Sequence, residues 1–203
     1  MKALLALLER KVIVSRGVEI VDPKSEEEEE RRNIFGLAFF KKRMRKGFTE
    51  FESIQIMRER NHFGAMMVET GAADAMISGT SRNYRDVVRP VIRTVGLEKD
   101  TTKIAGMYIL STKRGPLFLA DTTINVNPSA EDIAEITSNV AKTIRKFNVT
   151  PRVALLSYSN FGSSIGDDAS KMSKAVEIIK KNDPNLIVDG EIQANFALNS
   201  ALM

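Results

Sequence analysis

The 203-residue sequence has no cysteine, no tryptophan and one histidine. Without cysteine there is neither a disulfide framework nor thiol catalysis, and the redox compartment goes unstated. With His62 alone, a multi-histidine zinc site or a histidine-based triad is excluded within this chain, and no metal site is expected. His62 stands beside Phe63 ahead of an apolar run, which gives it little prospect of a chemical role. There are only three tyrosines, the net charge is just +4, and acidic and basic residues alternate along most helical segments. A nucleic-acid surface wants a basic stripe with interleaved aromatics, so small anionic ligands are the expected partners instead. No apolar stretch reaches the roughly 18 residues of a membrane span. The opening MKALLALLERK has no small-residue cleavage site and reads as an amphipathic helix over residues 2–10.

What is present is an ordinary globular composition, 43% hydrophobic and 28% charged, long enough for one large domain or two small ones. Residues 18–22 read as a strand ended by Pro23, with Ser25 as candidate N-cap of the next helix. Glutamates 26–30 fall in that helix's first turns. Lys41, Lys42, Arg43, Arg45 and Lys46 crowd its last turns before Gly47, the natural C′ stop. The glutamates are a solvated helix start. The basic cluster exceeds what a helix dipole needs, so anion contact and plain surface charge both stay open. Thr49 and Glu52 have capping-box spacing and open a helix to about residue 60.

The chain is organised around residues 61–96. An apolar run, 63–68, leads to a turn at 71–74 and a strand-like triplet, 75–77. The loop Ser78-Gly79-Thr80-Ser81-Arg82-Asn83 follows, and then apolar residues at 87, 88, 91, 92 and 95 in helical spacing. Hydroxyls, loop N–H groups and arginine ahead of a helix can hold an anion; a capping turn is the plain alternative. Pro90 requires either that the helix begin near residue 89 or that it kink there.

Beyond residue 101 the texture turns to β, with runs 102–112 and 116–126 joined by Lys113-Arg114-Gly115 as a hairpin. Ser129 caps a helix over 130–147 whose Ile133, Ile136, Val140 and Ile144 form a core stripe. Residues 153–158 read as a continuously buried parallel strand. From it the loop Ser157, Ser159, Asn160, Gly162, Ser163, Ser164 runs toward a helix at 168–181, a good place for a phosphate or carbonyl oxygen. Asp167 and Asp168 would repel an anion placed low in that loop. A strand at 186–189 and a turn into helix over 190–198 complete the reading, an α/β fold with mostly parallel sheets.

Three stretches then resemble the phosphotransacetylase family in order and spacing. They are FGAMMV with GAADAMISG, Arg82-Asn83-Tyr84 and Arg89-Pro90; GPLFLADTTINVN at 115–127; and RVALLSYSNFGSS at 152–164. The last is most similar to the phosphotransacetylase-like C-terminal domain of large bacterial NADP-dependent malic enzymes. The resemblance spans about residues 18–198 and implies two stacked, isocitrate-dehydrogenase-like α/β subdomains with a cleft between them. The first would be residues 1–96 and the second, a probable dimerisation region, residues 97–203. It implies a cytoplasmic homo-oligomer binding acetyl-CoA or a related acyl ligand, or phosphate, through Arg43, Ser78, Thr80, Arg82, Arg89, Ser157, Ser159, Asn160, Gly162, Ser163 and Ser164. Arg43-Met44-Arg45-Lys46-Gly47 matches the family's Arg-x-x-Lys-Gly pattern. In the malic-enzyme case the parent would oxidatively decarboxylate malate to pyruvate with NADP and a divalent metal on another domain. The alternative is part of a phosphate acetyltransferase. The family pattern continues past Met203 to a serine–arginine pair and a carboxylate base, so the fold is expected to be truncated and no catalytic residue is expected here.

Overall fold

A computed structural model of the chain describes residues 19–99 and 101–199. The helix expected over 2–10, and Val18, lie outside the described residues. The chain divides into two compact units, one ending at Gly96 and the other beginning at Leu97.

The described part of the first unit is helical. Helix α1 (Glu29–Arg43) runs into a 3-10 turn, Met44–Lys46, which Gly47 stops in the left-handed conformation at φ 84°. The expected strand at 18–22 does not form: residues 19–22 are irregular, and Val21 packs on the core instead of pairing. Nor does Ser25 cap α1. Glu28 holds the N-cap position without a side-chain bond, while the buried Arg32 turns its guanidinium back onto the carbonyls of Pro23 and Ser25.

Thr49 and Glu52 form the expected capping box on α2 (Glu50–Ile56). The helix stops short of residue 60 because Glu59 starts a new one, accepting the N–H groups of Asn61 and His62 at the head of α3 (Arg60–Glu69). Phe35, Phe39, Met57, Phe63 and Met66 make the core, with Phe35 edge-on to Phe63 at 5.1 Å. An ideal Cβ on Gly36 would lie 2.6 Å from Ile54 Cα, so glycine is what lets α1 and α2 touch. Residues 75–79 find no strand partner, and the triplet expected as a strand is open loop. Helix α4 (Tyr84–Thr94) carries Pro90 inside it, which overturns a start near residue 89.

The second unit holds the β structure. Strands β1 (Met107–Thr112) and β2 (Gly115–Ala120) form the expected antiparallel hairpin, with Thr112 opposite Gly115. β2 ends where the Asp121 carboxylate accepts the N–H groups of Gly106, Thr123, Ile124 and Asn125. Burial works to raise the Asp121 pKa, but the bonds from Asn125, Gly106 and Thr123 outweigh it and the net direction is down. Helix α5 (Ala130–Arg145) begins with a Ser129–Asp132 capping box.

Strands β3 (Arg152–Leu156) and β4 (Ile187–Ile192) pair in parallel, with helix α6 (Asp167–Asn182) between them in sequence, and a short α7 (Ala194–Ala197) follows. Ile133, Leu155, Val176, Ile179 and Val188 centre the core. β3 is not buried throughout as expected: Leu155 is enclosed while Ala154 and Leu156 are exposed. The helices cover one face, and β3 with β2, α5 and α7 borders an apolar groove of about 390 Å³. No helix among the described residues is long and apolar enough to cross a membrane.

Candidate functional site

In the first unit the loop at 78–83 is exposed along its whole length. It is not a side-chain capping turn, because Asn83 occupies the N-cap of α4 without a side-chain bond to the helix. What holds it is Asn61, 1% exposed and missed by the sequence reading. Pro90 has no N–H to give to the carbonyl four residues back, that of Asp86. The Asn61 amide donates to that carbonyl instead, at 3.2 Å. A carbonyl only accepts, so Nδ2 must face Asp86 and Oδ1 must face Ser78. The Ser78 hydroxyl therefore donates inward, 2.8 Å to Asn61 Oδ1. It turns lone pairs, not a proton, toward the open side. Arg60 donates to Ser81 at 3.0 Å. Thr80, Arg82 and Arg89 are exposed, and no bond or ion pair occupies their side chains among the described residues. Thr80 and Arg82 are the ready donors of this loop, next to a helix start whose N–H groups add to the field, while Arg89 lies further along, in the second turn of that helix.

The basic cluster at the end of α1 has a third use, neither anion contact nor free surface charge. Arg43 donates through Nε to Arg93 O and through Nη2 to Ile92 O, the latter at 2.9 Å. Lys42 donates to Thr94 O at 3.0 Å and Val95 O at 3.3 Å, and pairs with Glu69. These carbonyls are the unpaired last turn of α4, the negative end of its dipole. Lys42 and Arg43 thus cap the helix that begins at the Ser-Gly-Thr loop, leaving Nη1 of Arg43 uncommitted.

In the second unit the loop at 157–164 holds an anion already, the carboxylate of Glu191, also missed by the sequence reading. Leu155 pairs with Gly190 but Leu156 pairs with Ile192, so Glu191 is the extra residue of a bulge. Gly190 permits this with φ 139°, where a Cβ would sit 2.6 Å from Leu155 O. Glu191 is 2% exposed. Its Oε1 accepts from Gly162 N at 2.5 Å and Ser159 Oγ at 3.1 Å, and its Oε2 accepts from Ser173 Oγ. The Ser173 hydroxyl first, then the Gly162 N–H, hold its carboxyl down to about 2 against the burial that would raise it. Ser159 is fully enclosed; Ser157 and Asn160 are half-buried, and Ser163, Ser164 and Gly162 are exposed.

His62 is 6% exposed, its Nδ1 lies 3.1 Å from Glu59 Oε2, and Phe39 packs edge-on against it. Burial lowers its pKa, with Glu59 opposing. An enclosed neutral imidazole against a helix-capping glutamate is a core group.

Comparison with known proteins accords with this geometry. The family model described as phosphate acetyl/butaryl transferase matches residues 5–203. The NADP-dependent malic enzyme of Escherichia coli K12 is 39% identical over 165 residues, 81% of this chain and 22% of that protein. The phosphate acetyltransferase of Bacillus subtilis 168 is 35% identical over 181 residues, 89% of this chain and 55% of that protein. This chain therefore spans between about a fifth and about a half of these two relatives. The EutD phosphotransacetylase structure from Staphylococcus aureus superposes with a TM-score of 0.81 at 26% identity, covering 99% of this chain and 61% of that one. The chain belongs to the phosphate acetyl/butaryl transferase family and has its α/β fold.

Proposed function

We propose that this chain serves as the phosphotransacetylase-like regulatory and oligomerising domain of an NADP-dependent malic enzyme, binding acetyl-CoA or a similar acyl or phosphate ligand. The observation that carries the reading is the split between binding groups and proton acceptors. Thr80 and Arg82 at the Ser-Gly-Thr loop, and Arg89 on the helix that follows it, stand exposed and uncommitted, the right charge and hydroxyl chemistry for a phosphate. Acetyl transfer from CoA to phosphate also needs a base for the thiol proton. Glu191, the carboxylate against the serine loop, is enclosed and held low, and His62 is enclosed in the core. That contrast supports binding without turnover. In the malic-enzyme reading, NADP and the divalent metal act on another domain. Among the described residues no three His, Asp or Glu side chains are grouped to hold an ion.

The second reading, part of a phosphate acetyltransferase, is favoured by one observation: the Bacillus subtilis enzyme aligns with more of this chain, 89%, than the Escherichia coli malic enzyme does. Calorimetric titration of the 203-residue chain with acetyl-CoA and with inorganic phosphate, alongside an acetyl-CoA:phosphate exchange assay, tests the proposal of binding without turnover. The expected result is binding that Arg82→Ala and Arg89→Ala weaken, with no exchange. Robust exchange would install the second reading; no binding of either probe would remove both. Dimerisation through the second unit draws support from Tyr108, Ile109 and Leu110 of β1, exposed apolar side chains on a two-stranded sheet. Light scattering that reports a monomer at micromolar concentration would refute it.

A further inference from the structure

We propose that Glu191 is the resident anion of the loop at 157–164, and that by filling the loop's donor cradle it positions Asn160 as the group that meets the ligand. This rests on the acyl-ligand reading above. Hydrogen bookkeeping makes the case. An ionised carboxylate only accepts and is the nearer and stronger acceptor, so the one hydrogen of Ser159 goes to Glu191 Oε1, 3.1 Å away, ahead of Ser164 O at 3.4 Å. Ser159 Oγ also receives Ser164 N–H at 3.1 Å. The contact of 3.3 Å between the Ser159 and Ser163 hydroxyls must then use the hydrogen of Ser163. Ser163 Oγ in turn receives Asn160 N–H at 2.9 Å. Gly162 N–H is already on the carboxylate. Ser159, Gly162 and Ser163 have no donor left for a bound molecule.

The backbone of β4 completes the template. Phe161 N–H donates to Glu191 O at 2.9 Å and Ser157 N–H to Ile192 O at 3.0 Å. Gln193 N–H donates to Asn160 Oδ1 at 2.8 Å. A backbone N–H can only donate, so this bond fixes which end of the Asn160 amide is oxygen. Both hydrogens of Nδ2 are left without a partner among the described residues. Asn160 therefore presents a directed, neutral donor pair suited to a carbonyl or phosphoryl oxygen. Glu191 is a positioning residue, acting through the loop and not on the ligand.

An emptied cradle should take a small carboxylate from solution, and that is the test. Glu191→Ala and Asn160→Ala are each expected to weaken acetyl-CoA binding by about tenfold, the size of one directed hydrogen bond. Millimolar formate should restore affinity and raise the melting temperature of Glu191→Ala, in a saturable manner, and do neither for Asn160→Ala. Formamide, neutral and of the same shape, should do neither for either variant. Formate no better than formamide, or wild-type affinity in Glu191→Ala or in Asn160→Ala, would overturn the inference. If Glu191→Ala does not fold even in formate, Glu191→Gln is read in its place, and unchanged affinity there also overturns it. Formate rescue of the melting temperature in a protein that never binds acetyl-CoA would locate the failure in the acyl-ligand reading: the resident anion would stand and the role given to Asn160 would fall.

Discussion

The bond from Asn61 to Asp86 O exists because of Pro90, and that dependence can be measured. Replacing Asn61 with leucine keeps the branching and the number of side-chain heavy atoms at a fully enclosed site and deletes both polar ends, any overpacking being common to both backgrounds of the cycle below. Ser78 is exposed, so its hydroxyl turns to water at little cost. The Asp86 carbonyl is the real loss. It is partly buried, and no helical N–H can reach it while residue 90 is proline. Leaving such an acceptor unmade costs about 1–3 kcal/mol, and partial exposure puts this case in the lower half of that range. Alanine at position 90 brings the missing N–H back, and Asp86 then has a helical donor whether or not Asn61 is there.

A double-mutant cycle in urea isolates that relation from everything else the substitutions do. Pro90→Ala has large terms of its own, a gain in helix propensity and a loss of packing at a buried ring, and the cycle cancels them. The expected outcome is that Asn61→Leu costs about 1 kcal/mol less in the Pro90→Ala background than in the parent, with unchanged m-values. If the two costs agree within about 0.3–0.5 kcal/mol, the account of Asn61 as the donor that proline displaced is wrong.

Three further outcomes are expected. Gly36→Ala should cost about 1–3 kcal/mol in urea unfolding, because its Cβ would meet the backbone of Ile54 at 2.6 Å; parent-like stability would refute the close approach. Arg43→Ala should lower stability by about 1 kcal/mol through loss of the α4 cap while leaving phosphate affinity unchanged, and a marked fall in phosphate affinity would show that Arg43 reaches the ligand. The Glu191 carboxyl is depressed from 4.5 to about 2 in the folded chain, so its contribution to stability is full above about pH 4.5 and is lost as the pH falls toward 2. Glu191→Gln should lack that part of the acid loss, and identical acid profiles for the two proteins would count against it.

What could be read from the sequence was whatever is set by neighbours along the chain. The Thr49–Glu52 box, the Ser129 cap, the Gly47 stop and the Lys113-Arg114-Gly115 hairpin are local devices and all of them form, and of the stripe on α5 Ile133, Ile136 and Ile144 are buried while Val140 is half-buried. The chemistry-bearing loops were visible too, by composition. Their internal wiring was not, because each is governed by a side chain from another element. Asn61 lies 17 residues from Ser78, and Glu191 lies 32 from Ser159. Arg43 lies 49 from the carbonyl it caps.

Two of these had a signal that physical bookkeeping could have followed. A proline inside a helix orphans one identifiable carbonyl, so the helical spacing around Pro90 already implies that Asp86 O needs a donor from elsewhere. By sequence parity the buried Val188 and Ile192 of β4 fall on one alternation, which would turn residue 191 outward. Gly190 between them marks the break in phase. A glutamate just past such a glycine, next to a buried isoleucine, is a candidate for burial with partners. The nearest supply of donors in the chain's polar loops is the serine-rich stretch after β3, and that pairing is the one the fold adopts. The same reasoning shows what residue type alone leaves out of account. A serine has one hydrogen to give, and in Ser78, Ser159 and Ser163 the protein's own acceptors have already taken it.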